Sequence, residues 1–252
     1  MINLIKNDFY RVSKSTSFYS MMLLTIIMSL LFTMIVRYSS MAIGGARTVM
    51  EFRNIFDVIQ LGVLYQRGLG FFVALFISIF IGQEYQWKTW QHKWLIHKSR
   101  TQIYLSKLII SLALSVLVFL MFQIVALIFS NQPMDILSFD YGATIIGGIA
   151  IYAALGSVMC LLSMLIKNET ASVIACLCYI LTWETLLFRI GNFSHFSEIT
   201  SRIVDWGIRH SIPGMAVRVS TGDNVMPIIV NALVIIFLST TIGLMIFRKY
   251  EL

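Results

Sequence analysis

The densest set of recognition side chains is one polar stretch, residues 82–100 (GQEYQWKTWQHKWLIHKSR), closing at Ser106–Lys107. It carries three of the chain's five tryptophans. Trp87, Trp90 and Trp94 stand at i, i+3 and i+7, one face of a helix. Indoles favour the lipid headgroup level, so that face suits a membrane surface, which leaves Thr89, His92, Lys93 and Leu95 for a second face. Such a surface can dock a protein, but it does not make an enzyme. His92/His97 and His195/His210 lack the helical spacing of metal ligands. No phosphate-cradling GxxxxGK[ST] loop occurs, and neither Gly44–Gly45 nor Gly147–Gly148 is followed by Lys-Ser/Thr. Cys160, Cys176 and Cys178 all fall in apolar sequence, with Cys176 and Cys178 about 200° apart on a helix. They read as small packing residues, not as chelators or a disulfide framework.

What must position these residues is a set of apolar runs. Ser15–Val36, Leu108–Met134, Tyr141–Ile166 and Asn224–Phe247 carry no charged residue, and each exceeds the roughly 20 residues a helix needs to cross about 30 Å of hydrocarbon. Gly68–Gln83 is a little short, and Thr170–Phe188 contains Glu184. Composition agrees: 58% of residues are hydrophobic and only 12% charged, half the share usual in globular proteins. The expected fold is all-α and polytopic, with six spans at 15–36, 68–87, 108–130, 141–166, 170–190 and 225–247. Those spans and their connections account for most of the chain, which leaves no room for a separate soluble domain. The first run lacks a cleavage signature and reads as a retained anchor.

Charge sets the expected orientation. With the N-terminus cytoplasmic, the inside segments hold eleven of the 19 basic residues and four of the 12 acidic ones, and the outside segments hold eight of each. The whole excess of +7 then lies on one side, the positive-inside pattern. Both termini and Glu84–Lys107 come out cytoplasmic. A nucleic-acid partner is excluded, because no soluble module presents a basic face.

Outside the spans, residues 1–14 form an interfacial amphipathic helix with Ile2, Ile5, Phe9 and Val12 on one face. Lys6, Arg11 and Lys14 would lie near anionic membrane lipid. Val49, Phe52, Phe56 and Ile59 give the first outer loop an apolar face. In the outer loop 191–223, Phe196, Ile199, Ile203 and Trp206 share a face, with Glu198/Arg202 and Asp205/Arg209 as i,i+4 pairs. This predicts a membrane-surface helix ended by Pro213–Gly214. In the fourth span, Ala143/Gly147, Ala150/Ala154, Ala153/Ser157 and Gly156/Cys160 are spaced for close helix packing. Glu184, one turn before Arg189, is costly in lipid unless it snorkels or pairs; the two form a possible substrate-path or outer-gate site.

The 82–107 stretch resembles the corresponding segment of ABC-2-type transporter permeases. That family places Gly-x-Glu, a Thr, a Leu, then Ser-Arg and a Lys between its second and third spans. Gly82, Glu84, Thr89, Leu95, Ser99–Arg100 and Lys107 match, while Lys88 stands where the family usually has Gly. The layout of interfacial helix, six spans and long outer loop is similar over essentially the full length. The resemblance implies a bacterial cell-membrane permease that works as a dimer with a second copy or paralogue. Segment 82–107 would be its coupling helix, docking through Glu84, Thr89, His92, Lys93, Leu95 and Arg100 into a separate ABC ATPase subunit. ATP and Mg would bind that partner, leaving this chain without a cofactor or catalytic role. The small size is similar to that of exporters of amphipathic or antimicrobial peptides, including lantibiotic-immunity permeases; 14 Met and 18 Phe suit such cargo. Lipid, drug or ion export is the alternative. A secondary transporter or channel is a further one, though no ionisable mid-membrane site stands out.

Overall fold

A computed structural model of the chain describes residues 2–39, 55–87, 99–129, 139–166, 168–191 and 198–249. Every regular element among them is helical: α1 (Ile2–Lys14), α2 (Thr16–Ser39), α3 (Ile55–Val63), a 3₁₀ turn (Tyr65–Arg67), α4 (Leu69–Gln86), α5 (Arg100–Ile128), α6 (Phe139–Leu165), α7 (Glu169–Gly191), α8 (Glu198–His210), α9 (Ile212–Ser220) and α10 (Val225–Lys249). Helices prevail because a backbone in hydrocarbon has to satisfy its own N–H and C=O groups. Five of them (α2, α4, α5, α6 and α10) are long and apolar enough to cross a membrane. The sixth expected span coincides with α7, which runs for 23 residues; its described apolar part, Glu169–Thr182, falls short of a full crossing.

Helix α6 is the hub, packed against α4, α5, α7 and α10 and touched by α3 and α9. Its small residues make this possible. A Cβ on Gly156 would sit 2.4 Å from Ser115 Oγ and 2.8 Å from the Ser111 carbonyl of α5. On Gly148 it would sit 2.2 Å from the Phe119 ring. Ala154, Ser157 and Cys160 are fully buried, and Ser239 of α10 donates to Ser157 Oγ at 2.9 Å. The expected close-packing role of the fourth span's small residues is what the structure shows. Cys176 is buried and Cys178 exposed, on opposite sides of α7 as their spacing requires.

The bundle is organised for lipid, with small polar residues inside. On α2, Thr25, Ser29 and Thr33 are buried, while Leu23, Leu24, Ile27 and Leu31 point outward. Ser29 donates to the Phe122 carbonyl of α5 at 2.9 Å. Apolar side chains gain nothing by leaving lipid, so close approach and interhelical hydrogen bonds decide which face turns inward. Only 22% of the α2 and α10 apolar windows is buried, against 56–61% for α4, α5 and α6, so α2 and α10 form the outer wall.

At one end of the bundle, two connections go deeper than surface loops. Helix α3 enters the core, with Val58, Ile59, Leu61 and Val63 buried. It is held by Gln123 Nε2 donating to the Ile59 carbonyl at 3.0 Å and Tyr152 Oη to the Gly62 carbonyl at 2.7 Å. Of the apolar face expected in the first outer loop, Val49 and Phe52 lie outside the described residues. Segment 198–220, expected as one outer-loop helix, is two helices. Pro213–Gly214 opens α9 and does not end α8: Ser211 caps Gly214 N–H at 3.3 Å, and Pro213 occupies the first turn, where its missing N–H has no helical partner to lose. Trp206 is exposed and stacks on His210 with ring centroids 4.3 Å apart.

Candidate functional site

At the other end, α1, the last turn of α4 and the first two turns of α5 converge on four charges. Lys107 Nζ lies 2.5 Å from Glu84 Oε1 and 2.9 Å from Asp8 Oδ2. Arg11 pairs with the same Glu84 oxygen and donates from Nη2 to the Phe80 carbonyl at 3.0 Å. Ser106 Oγ donates to Asp8 Oδ2 at 2.9 Å. Glu84 and Lys107 are fully buried and Asp8 is 2% exposed, whereas the Arg11 side chain keeps 32% of its surface.

Among the described residues, two cations pair with two carboxylates, the balance under which charges are tolerated out of water. The Phe80 ring adds to the balance. Arg11 Cζ lies 4.4 Å and Lys107 Nζ 4.5 Å from its centroid, and a desolvated cation on such a ring gains about 2 kcal/mol. Phe80 and Glu84 are one turn apart, so a single face of α4 supplies both the ring and the carboxylate. Local helix electrostatics oppose the arrangement. Glu84 stands in the last turn of α4, where the helix dipole disfavours an anion, so tertiary partners have to hold it.

Most motif residues on the described flanks acquire a structural reason here. Gly82 lets the start of α7 approach: a Cβ would sit 2.8 Å from Glu169 Cα. Ser99 is the N-cap of α5, its Oγ accepting Gln102 N–H at 3.4 Å, a role for which Ser is favoured. Arg100 opens α5 two turns before Lys107, on the same face and about 10 Å out along the axis. Tyr85 Oη donates to the Met164 carbonyl at 3.1 Å, and the Phe247 ring lies 6.1 Å from that of Tyr104. The N-terminal helix, both flanks of residues 88–98, the α6–α7 turn and the end of α10 therefore gather at one end of the bundle.

Two expectations need correction. The helix of the third span begins at Arg100 instead of 108, so Lys107 is a buried helical residue, not part of a loop. Residues 82–86 form the end of α4, inside the expected span 68–87, and Trp87, 62% exposed, is its C-cap. On α1 the inward face is Leu4, Asp8 and Val12, while Phe9 is 61% exposed and Arg11 turns to Glu84 and away from lipid. Burying the charged partners of α4 and α5 outweighs burying Phe9, which is stable in a lipid-facing position. Thr89, His92, Lys93 and Leu95 lie outside the described residues. Glu184 and Arg189 fall on α7, their side chains also outside the description.

Sequence reasoning singled out Glu84 and Lys107 but missed Asp8 and Arg11. The available signal was spacing: residues 4, 8, 11 and 15 share one helical face, and Asp8 is the only carboxylate in an otherwise cationic helix. Its partners Ser106 and Lys107 lie nearly 100 residues away in sequence, and no local pattern specifies them.

Residues 4–182, from α1 through most of α7 and including all four clustered charges, match the family model described as ABC-2 family transporter protein. Among curated proteins, none matches the chain. An all-helical bundle of membrane-spanning length and a family match over more than two thirds of the sequence agree: the chain belongs to the ABC-2 family of transporter proteins, as a membrane permease subunit of an ABC transporter.

Proposed function

We propose that this chain forms the translocation path of an ATP-driven exporter and that residues 88–98 are its contact with a separate ATPase subunit. The observation that carries this reading is the placement of the ion cluster. Lys107 and Glu84 stand at the two flanks of that segment and are joined to each other and to α1. A force applied to a segment held by a soft base is absorbed locally. One applied to a segment whose ends are locked together reaches α4, α5 and α1 as a unit. ATP-driven closure of two ATPase subunits would in this way shift the spans between inward-open and outward-open states, provided that ATP binding favours one of them. Thr89, His92, Lys93, Leu95 and Arg100 face the ATPase in this scheme, and the tryptophans hold the segment at the membrane surface. The pathway runs between two permease copies. Amphipathic peptide is the cargo class that Met- and Phe-rich walls suit.

Orientation is part of the proposal. Both termini and residues 82–107 are placed in the cytoplasm of a bacterial cell. The positive-inside charge balance supports this, as does the gathering of all those segments at one end of the bundle. Single cysteines introduced by Ser99→Cys and Ser194→Cys, in a background lacking the native cysteines, test it in intact cells. Position 194 is expected to react with an impermeant maleimide and position 99 only after permeabilisation. The reverse pattern overturns the orientation.

Reconstitution tests the function. The purified chain in nanodiscs is expected to hydrolyse no ATP, because it has no phosphate-cradling loop. Adding its cognate ATPase subunit is expected to restore hydrolysis, further stimulated by amphipathic cationic peptide. Hydrolysis by the chain alone would refute the division of labour, and stimulation by lipid but not by peptide would refute the cargo assignment.

A further inference from the structure

A cavity of about 340 Å³ opens beside the ion cluster, where α1 turns into α2 and both lean on α4. Its lining is divided by chemistry. Arg11, Lys14 and Ser17 supply polar groups on one side, Phe76 and Ile79 an apolar floor, and Trp87 part of the rim. The Lys14 ammonium is exposed, 6.0 Å from the centroid of the Tyr10 ring, which also lines the cavity. Arg11 is largely committed to Glu84, but a third of its side chain stays accessible.

We infer that this cavity holds the head group of an anionic phospholipid. Its location is where an amphipathic surface helix meets a membrane span, so its mouth lies at headgroup depth, the level marked by the exposed indole of Trp87. The charge is complementary. Lys14 and the accessible part of Arg11 turn positive charge to the opening, and no carboxylate lines it among the described residues, so a phosphate there would gain a charge-assisted bond. The volume accommodates a phosphoglycerol head group and the first methylenes of its chains, not a whole lipid. The tails would run from Phe76 and Ile79 along the outward apolar face of α2. A free soluble anion would make no use of that apolar floor.

The occupant would bridge α1, α2 and α4, adjoining the flank of residues 88–98 at Trp87. Anionic lipid would thereby stiffen the same helix junction that the ion cluster holds from inside. This inference requires only that the cavity face a leaflet containing anionic lipid, and it is separable from the cargo assignment because the measurement is binding without ATP.

The test is native mass spectrometry of the detergent-purified full chain, titrated with phosphatidylglycerol or phosphatidylcholine of matched chains. Wild type is expected to retain phosphatidylglycerol preferentially. Lys14→Ala is expected to weaken that binding about fivefold, the factor for the ~1 kcal/mol that one basic residue contributes near an anionic surface. Ile79→Trp, which fills the floor, is expected to abolish the preference. Lys14 is exposed and its replacement leaves the packing intact, so that variant remains informative if Ile79→Trp fails to fold. Equal retention of both lipids by wild type, or unchanged binding by Lys14→Ala, overturns the inference. So does full competition by millimolar glycerol phosphate, which would make the site one for a soluble anion.

Discussion

Replacing Lys107 by Met is expected to destabilise the folded chain by about 3–5 kcal/mol, the range found when one partner of a buried ion pair is removed. Methionine preserves most of the aliphatic volume, so the effect isolates the charge. Two buried carboxylates, Asp8 and Glu84, would lose the ammonium that now lies within 2.9 Å of both. For a chain of this size the corresponding drop in thermal midpoint in detergent is on the order of 10 °C. The double variant Glu84→Gln/Lys107→Met is expected to be more stable than Lys107→Met alone, because it removes a stranded charge and leaves groups that can be neutral in an apolar setting. Residues in one ion network are coupled in this way. Arg11→Gln is expected to cost less, since Arg11 is partly solvated. A midpoint for Lys107→Met within a degree or two of wild type would show that the cluster does not hold the helix junction. A double variant whose loss equals the sum of the two single losses would show that the charges are not coupled.

The second large effect lies on the partner's side. Leu95→Asp is expected to detach the ATPase subunit while leaving the thermal midpoint of the isolated chain unchanged. A carboxylate carried into an apolar docking cleft without a partner costs several kcal/mol, and a loss of about 3 kcal/mol is more than a hundredfold in affinity. Co-purification of the ATPase subunit and transport in vesicles are the measurements, with Gln132→Asp, between α5 and α6, as the control expected to behave as wild type. Normal assembly and transport by Leu95→Asp would remove residues 88–98 from the docking interface and return the tryptophan face to a membrane-surface role. The two experiments separate cleanly. Lys107→Met acts on the permease by itself, whereas Leu95→Asp acts only when the ATPase is present.

A lipid-facing protein reveals much of its class in one dimension and little of its packing. Long uncharged runs identify helices because an unpaired backbone is untenable in hydrocarbon, and that constraint acts residue by residue along the chain. For the same reason, the small residues of the fourth span predict close helix contact before any partner is known. Gly82, Glu84, Ser99 and Lys107 were visible as a spaced motif, yet their spacing says nothing of why they are there. Tertiary structure supplies the reasons: a helix crossing at Gly82, a cap at Ser99, and a shared burial for Glu84 and Lys107.

What only the fold decided is which face of each helix turns inward. In water, apolar periodicity answers that question. In lipid both faces are apolar, and the choice falls to small residues, hydroxyls and charges whose partners are distant in sequence. That is why α1 presents Asp8 to the interior and leaves Phe9 outside, against the reading of its apolar face. It is also why α3, short and lying in a segment expected to be an outer loop, is buried through bonds from Gln123 and Tyr152. The residues that could do chemistry were legible from their types. Their assembly into one ion cluster depended on a burial cost that only mutually paired charges can meet, and no local sequence pattern records that pairing.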